Sequence, residues 1–254
     1  TVNQYRTGDN PAKWTGNLEH ALPRPSKVRT VEHHAALPWA DVGAFMAQLR
    51  AHRGTGARAL EFAILTAARS GEVRLATWGE IDLQNKIWTV PAERMKAGKA
   101  HVVPLSDQAL DILTVFRTMF GASRYLHPGR YDSDTPISNA TLNRVIDTVV
   151  ERIRKTDPDF QSFGVHDLRR TFSTGLNRAK FDDRWIEMSL AHAPRNRIAA
   201  VYNVNRYLAE RKIMLQCWAD MLDAWVKGES AKELIADAKR RAAEVHDDEL
   251  DDDL

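Results

Sequence analysis

Four short stretches of this sequence carry basic, acidic or phenolic side chains that core packing does not explain. In chain order they contain Arg69 with Glu72, Lys96, His166 with Arg169, and His192 followed ten residues later by Tyr202. Cationic side chains bind anions, and a guanidinium can hold two oxygens of one phosphate group. These residue types therefore suit the binding of an anion such as a phosphate.

The spacing of His166 and Arg169 adds to what their residue types indicate. Residues three apart on a helix point over one face, and a helix start adds partial positive charge there. An ordinary surface pair on a helix remains the alternative. Arg69 and Glu72 have the same spacing, and for them the alternative is a salt bridge that contributes about 0.2–0.5 kcal/mol.

Several other chemistries lack their sequence motifs. Cys217 is the single cysteine, so no disulfide framework, cysteine zinc site or redox pair is expected. His33 and His34 are adjacent and lack a zinc-binding helix motif, and no phosphate-binding loop or nucleotide-binding glycine turn is present. We therefore predict no metal and no cofactor. No apolar run approaches about 18 residues, so we expect no membrane span. The single cysteine is compatible with a reducing cytosol, and we expect a cytoplasmic protein.

Charge is unevenly distributed along the chain. The net charge is +2, and removing the six carboxylates of residues 247–254 leaves +8 on the rest. A basic body with an acidic tail favours a polyanionic partner. The tail is expected to be either a disordered, solvated end or a competitor for the same basic surface.

The elements that must position these residues are read from hydrophobic periodicity. Helical patterns begin at Pro38, Ala57, Ser70, Ser106, Ser138, His166, Asp182 and about Asn205. Short β-branched segments occupy Ile81–Leu83, Lys86–Val90 and His101–Leu105. The predicted fold class is mainly α with a small antiparallel β-sheet (α+β). The apolar stripe of the helix from Asn205 packs either within its own chain or against a second copy.

Taken in order, the site residues resemble those of the tyrosine recombinase (phage integrase) catalytic domain, with a particular likeness to prophage and genomic-island integrases. The resemblance covers Pro38 to Trp225, and residues 8–28 resemble that branch's link from a core-binding domain. It implies the DNA breaking-rejoining enzyme fold. We expect a lead-in at 1–37, a catalytic domain at 38–228, and a partly disordered C-terminal helix and acidic tail at 229–254. The Thr1 start is expected to mark a truncated integrase.

The resemblance also implies residue roles. Its catalytic set is Arg69, Lys96, His166, Arg169, His192 and the nucleophile Tyr202, with Glu72 orienting Arg69. Its DNA-binding candidates are Arg94, Lys99 and Arg170. Two departures from the family pattern are Ala191, where many members have glycine, and the interval of ten residues between His192 and Tyr202, where many have nine. Lys99 and Tyr207 remain alternatives to Lys96 and Tyr202.

The activity implied is site-specific integration or excision of a prophage or genomic island through a 3′-phosphotyrosyl intermediate. The implied partners are double-stranded DNA at attachment sites, a homotetramer of the full-length protein, and accessory DNA-bending proteins, in a bacterial cytoplasm near the nucleoid. The oligomeric state of this fragment stays open. Two alternatives are a type IB topoisomerase-like enzyme that nicks and reseals DNA, and a catalytically silent DNA-binding module.

Overall fold

The structure contains both helices and a small sheet, as the sequence patterns predict. The computed structural model describes residues 10, 12–22, 36–192 and 207–252, with side chains as far as residue 246. The chain divides into two units, Thr1–His34 and Ala35–Leu254. The described residues of the first unit form two short helical segments, Trp14–Leu18 and Glu19–Ala21, which bury no side chain.

The second unit is mainly helical, as the sequence predicts. Its helices are α1 (Trp39–Ala51), α2 (Thr55–Thr66), α3 (Ser70–Arg74), α4 (Asp107–Phe120), α5 (Thr141–Ile153), α6 (Val165–Arg178), α7 (Asp183–Ser189), α8 (Leu208–Val226) and α9 (Lys232–Asp252). Its strands are β1 (Ile81–Asp82), β2 (Ile87–Val90) and β3 (His101–Pro104). Among the described residues, no helix has the length and apolar character that crossing a bilayer requires.

The three strands form one antiparallel sheet in the order β1-β2-β3. Trp88 of β2 pairs with Val103 of β3, and both are buried. Asp82 accepts the Asn85 N–H at 2.9 Å, which closes the turn between β1 and β2. The longer connection between β2 and β3 carries Lys96. The predicted small antiparallel sheet is therefore confirmed, with its strand ends within one residue of those expected.

Helix α6, which carries His166 and Arg169, packs against α1. The Trp39 ring lies over Gly175, where an added Cβ would fall 1.8 Å from the indole nitrogen. The indole N–H of Trp39 donates to the Thr171 carbonyl at 3.3 Å. Glycine is therefore required at position 175, because only a residue without a Cβ admits this ring.

The apolar stripe of α8 packs within its own chain. The indole N–H of Trp218 donates to the Ile64 carbonyl of α2 at 2.9 Å, and its ring lies 5.4 Å from that of Phe172 on α6. The Trp225 ring lies 4.7 Å from the Trp39 ring on α1. Of the two arrangements that the sequence left open, the structure shows packing in cis.

Helix α9 covers a second face of α8, so α8 buries more of its circumference than one stripe. Ala238 and Ala242 of α9 are buried, and His246 Nδ1 lies 2.7 Å from a carboxylate oxygen of Glu210 on α8. The backbone is helical to Asp252, so most of the acidic tail that we expected to be partly disordered continues a helix.

The reactivity of the only cysteine, Cys217, depends on whether α9 is packed against α8. Cys217 is buried beneath α9, where its thiol lies 3.6 Å from the Leu234 carbonyl, and burial raises the pKa of the thiol to about 12. A raised thiol pKa and a covered sulfur both slow attack on disulfide reagents.

We expect Ala242→Asp to expose this thiol, because a carboxylate at a fully buried position undocks α9. Labelling by an aromatic disulfide reagent at pH 8 should accelerate at least about tenfold. Ala243→Asp, at the neighbouring exposed position, should label as slowly as the unaltered chain. Equal rates for the two variants would contradict the packing of α9 on Cys217.

A second buried titratable group lies in the core between α2 and α4. His127 is fully buried, and neither ring nitrogen has a hydrogen-bond partner within the part of the chain that the structure describes. Its ring lies 4.9 Å from Phe116 and 5.6 Å from Phe62. Burial lowers the pKa of His127 from 6.5 to about 3.

This shift predicts acid sensitivity. Between pH 6.5 and about 3 the unfolded chain binds a proton at position 127 and the folded chain does not. The free energy of unfolding therefore decreases as the pH is lowered through this range. From pH 7 to 5 this one group should remove about 1–2 kcal/mol. In urea unfolding series, His127→Leu should show a correspondingly shallower loss. Parallel pH profiles for the two proteins would contradict the buried neutral state.

Candidate active site

Arg69 occupies the sharp turn between α2 and α3. The chain leaves α2 through Ala67, whose φ of 50° lies in the left-handed region, and α3 begins one residue after Arg69. The Glu72 carboxylate accepts the main-chain N–H of Arg69 at 2.8 Å and its Nη1 at 2.7 Å. One buried carboxylate thus fixes both the backbone and the side chain of Arg69.

Arg169 reaches the same place from α6. Its Nη1 donates to the Ala67 carbonyl and its Nη2 to the Leu190 carbonyl at 2.6 Å, and the residue is only 5% exposed. Arg69 Nη2 donates to the same Leu190 carbonyl at 3.4 Å. The two arginines that the sequence singled out therefore converge on one main-chain oxygen.

This convergence leaves positive charge in excess. Burial, and after it the Arg69 charge, lower the pKa of Arg169 from 12.5 to about 10, while Glu72 acts in the opposite direction. Two guanidinium groups share one carboxylate, so an anion bound beside them would relieve their repulsion. The arrangement suits a phosphate group held at the exposed side of Arg69.

Both histidines lie at the rim. His166 is exposed near the start of α6, so the predicted shared face divides into a surface histidine and a buried arginine. His166, Arg169 and His192 line one depression of about 240 Å³. His192 Nδ1 lies 2.8 Å from Glu187 Oε2.

Lys96 lies on the other side of His192. An opening of about 420 Å³ is lined by Arg69, Met95, Lys96, Ala97, Ala191 and His192. Lys99 is also exposed and does not line this opening. The geometry therefore brings Lys96, rather than Lys99, to the space beside Arg69.

The DNA-binding candidates differ in orientation. Arg170 is exposed, with Nη1 3.9 Å from Asp167, so it keeps a surface position. Arg94 instead points inward, with its guanidinium held by the Glu80 carboxylate and the Glu72 carbonyl. Those contacts engage both Nη atoms of Arg94, and its Nε is buried.

Tyr202 lies outside the described residues, which stop at His192 and resume at Tyr207. Tyr207 precedes α8, is 8% exposed, and accepts a hydrogen bond from Arg184 Nη1 at 3.3 Å. The Arg184 guanidinium also lies 5.2 Å from the centre of its ring. A phenol held in this way is poorly placed to attack a phosphate on the surface.

Sequence reasoning missed a buried polar network behind the site. Arg211 of α8 donates to the Val102 carbonyl at 2.6 Å and to the Ser189 hydroxyl at 3.2 Å. His101 Nε2 lies 3.3 Å from the Ser189 carbonyl, and burial, with Arg211 next, lowers the pKa of His101 to about 4. The one sequence signal for this network is His101, a polar residue at the start of the otherwise apolar strand β3.

The backbone at Ala191 is left-handed, at the position where many family members have glycine. Its φ is 50°, a conformation that glycine adopts without steric cost and alanine does not. Ala191 follows the Leu190 carbonyl that both arginines share. The turn is thus a structural requirement of the site that this chain meets without glycine.

We expect Ala191→Gly to leave the free energy of unfolding unchanged or to raise it by up to about 1.6 kcal/mol. Relief of about 1–2 kcal/mol of left-handed strain opposes the 0.4–1 kcal/mol entropic cost of glycine. Ala243→Gly, on an exposed helical position, should instead lose about 1 kcal/mol in the same urea titration. An equal loss at both positions would contradict the left-handed turn.

Known proteins resemble this chain in sequence. Residues 39–208 match the model of the phage integrase family. The chain is 37% identical over 216 residues to prophage integrase IntZ of Escherichia coli (strain K12), covering 84% of this chain and 51% of that protein. It is 33% identical over 207 residues to the integrase of Enterobacteria phage P4, covering 75% and 46%. The chain therefore spans about half the length of the curated relatives it matches.

Solved structures share the fold at low identity. The Tn1549 transposon integrase, in complex with transposon right end DNA, aligns with a TM-score of 0.55 and 14% identity, covering 80% of this chain and 71% of that one. The XerA recombinase aligns with a TM-score of 0.51 and 20% identity, covering 69% and 61%. With a family model matched over most of its length and relatives above 30% identity, this chain belongs to the phage integrase family.

Proposed function

We propose that this chain is the catalytic domain of a site-specific DNA recombinase that cuts and rejoins strands through a 3′-phosphotyrosyl intermediate. The observation that carries the proposal is the convergence of Arg69 and Arg169 on the Leu190 carbonyl beside the Glu72 carboxylate. This cluster has excess positive charge and opens to the surface next to Lys96. A DNA phosphate supplies the anion that such a site lacks.

The roles follow from position. Arg69, with Arg169 behind it, stabilises the charge that develops on the nonbridging oxygens, an effect worth a few kcal/mol per donor. His192, beside both openings, donates a hydrogen bond to the same phosphate. His166, on the exposed rim, accepts the phenol proton of Tyr202. No step requires a nucleotide cofactor, because each phosphoester bond broken is replaced by another.

Cleavage is a balanced exchange at phosphorus. The Tyr202 oxygen forms a bond to phosphorus and the bond to the 5′ oxygen breaks. The phenol proton passes to His166, and Lys96 supplies a proton to the departing 5′ oxygen. A 5′-hydroxyl from a partner strand then reverses these steps to rejoin the DNA.

The partners and domain limits belong to the same proposal. Double-stranded DNA with an attachment site is the substrate, and Arg170 and Lys99 are its candidate backbone contacts at the exposed surface. The longer protein acts as a homotetramer with accessory DNA-bending proteins in the bacterial cytoplasm. Residues 38–228 form the catalytic domain, which includes the region matched by the family model.

The proposal is tested with a nicked duplex that loses a short oligonucleotide on cleavage and so traps the covalent adduct. We expect the unaltered chain to form an adduct that survives EDTA and denaturing electrophoresis. Tyr202→Phe should form none, because its ring has no nucleophilic oxygen. Tyr207→Phe is the matched control and should retain the adduct, because Tyr207 is buried against Arg184.

The other outcomes separate the competing functions. Loss of the adduct in Tyr207→Phe but not in Tyr202→Phe would move the nucleophile to Tyr207. DNA retention by every variant with no adduct in any would favour a silent binding module. Relaxation of supercoiled DNA without any joined product from two duplexes would favour a nicking and resealing enzyme.

A further inference from the structure

Arg94 lies two residues before Lys96, and its side chain points away from solvent. It ends the helical turn Ala92–Arg94 in the connection between β2 and β3. Its Nη1 donates to the Glu80 carboxylate and its Nη2 to the main-chain carbonyl of Glu72, with the side chain only 17% exposed. One guanidinium therefore links the base of the Lys96 hairpin to the helix that holds Arg69.

The far side of this link is rigid. The Glu80 carboxylate also accepts the indole N–H of Trp88 at 2.9 Å and the Thr77 hydroxyl at 3.1 Å. Trp88 is a fully buried residue of the central strand β2. Arg94 is thus anchored to the sheet through Glu80 and has little freedom to turn toward DNA.

The near side of the link meets the site. Glu72 binds Arg69 through its carboxylate and Arg94 through its carbonyl, so one residue holds both arginines. Between Arg94 and Lys96 the chain is also fixed by Met95, which is 7% exposed. Lys96 itself is exposed and lines the opening beside Arg69.

We propose that Arg94 is a positioning residue that sets the place of Lys96 relative to the phosphate held by Arg69. This rests on the roles given to Lys96 and Arg69 in the proposed function. It replaces the phosphate contact that the sequence predicts for Arg94 with a contact inside the protein. A guanidinium suits this role because two separate nitrogens, Nη1 and Nη2, bind the carboxylate and the carbonyl, whereas an ammonium has a single nitrogen.

Leaving-group chemistry separates this role from general stability. An alkoxide departs from phosphorus with difficulty unless Lys96 protonates it, whereas a thiolate departs without a proton because thiol pKa values lie near 8.5. With sulfur in place of the bridging 5′ oxygen, the Tyr202 oxygen bonds to phosphorus and the P–S bond breaks to release the thiolate. A misplaced Lys96 therefore slows cleavage of the oxygen substrate alone.

The test compares single-turnover cleavage of two nicked duplexes that differ only in this bridging atom. Arg94→Lys keeps a cation beside Glu80 and removes the second bond to Glu72. We expect its cleavage of the oxygen substrate to fall about 10- to 100-fold, the range for an approximately 1 Å displacement of a catalytic group. Cleavage of the sulfur substrate should match that of the unaltered chain, which also shows that the variant is folded.

Two further variants calibrate the result. Lys96→Ala should show the same pattern, with a larger loss on oxygen and none on sulfur. Arg240→Lys is the matched control, because Arg240 is exposed and its guanidinium pairs with the carboxylates of Asp237 and Glu244 on its own helix α9. It should cleave both substrates at the unaltered rate.

Three results would overturn the inference. Normal cleavage of both substrates by Arg94→Lys would show that the hydrogen bond to Glu72 does not determine the position of Lys96. Equal losses of cleavage rate on the oxygen and sulfur substrates would show that Arg94 acts by positioning Arg69 or by stabilising the fold, and not through Lys96. A loss of DNA affinity without a change in cleavage rate would show that Arg94 contacts a DNA phosphate, as the sequence predicts. Failure of the unaltered chain to form an adduct with either substrate would instead count against the proposed function itself.

Discussion

Two like charges share one main-chain oxygen, and the rest of the site is arranged to make this possible. Arg169 and Arg69 both donate to the Leu190 carbonyl, and a single carboxylate, that of Glu72, lies beside them. A buried guanidinium without such partners would cost several kcal/mol. The partners come from helix ends: Ala67 follows α2 and Leu190 follows α7, and carbonyls in the last turn of a helix lack intrahelical donors. The arginines satisfy acceptors that the fold leaves open.

Arg169 holds the ends of α2 and α7 together, and this brings elements that are distant in sequence to the site. The end of α7 is held from behind by Arg211 of α8 and His101 of β3, which both contact Ser189. The end of α2 is held by Trp218 of α8, which donates to the Ile64 carbonyl. Helix α8 therefore contacts both helix ends.

Local signals predicted the elements of this fold but not the burial of its charges. Helices and strands followed from apolar spacing, because that spacing acts within one element. Arg169 is buried while its neighbour Arg170 is exposed, and Arg94 and Arg211 also point inward. Their acceptors are largely main-chain carbonyls far away in sequence, 102 positions for Arg169 and Ala67. A carbonyl is present at every residue and leaves no mark in the sequence, so no pattern could identify the partner.

Two residues next to or carrying the shared carbonyls have a strained backbone, so the cost of this strain can be compared with the arginine–carbonyl hydrogen bonds. Ala67 and Ala191 both have a φ of 50°, and these left-handed residues end α2 and follow Leu190. Each such alanine costs about 1–2 kcal/mol, whereas a hydrogen bond from a charged donor contributes about 1.5–3 kcal/mol. The three arginine–carbonyl bonds thus exceed the cost of the two strained turns. Alanine at both turns has fewer unfolded conformations to lose than glycine, so folding orders these carbonyls at a smaller entropic cost. The strain accordingly lies in the two turns that aim the carbonyls, where the arginine bonds offset it.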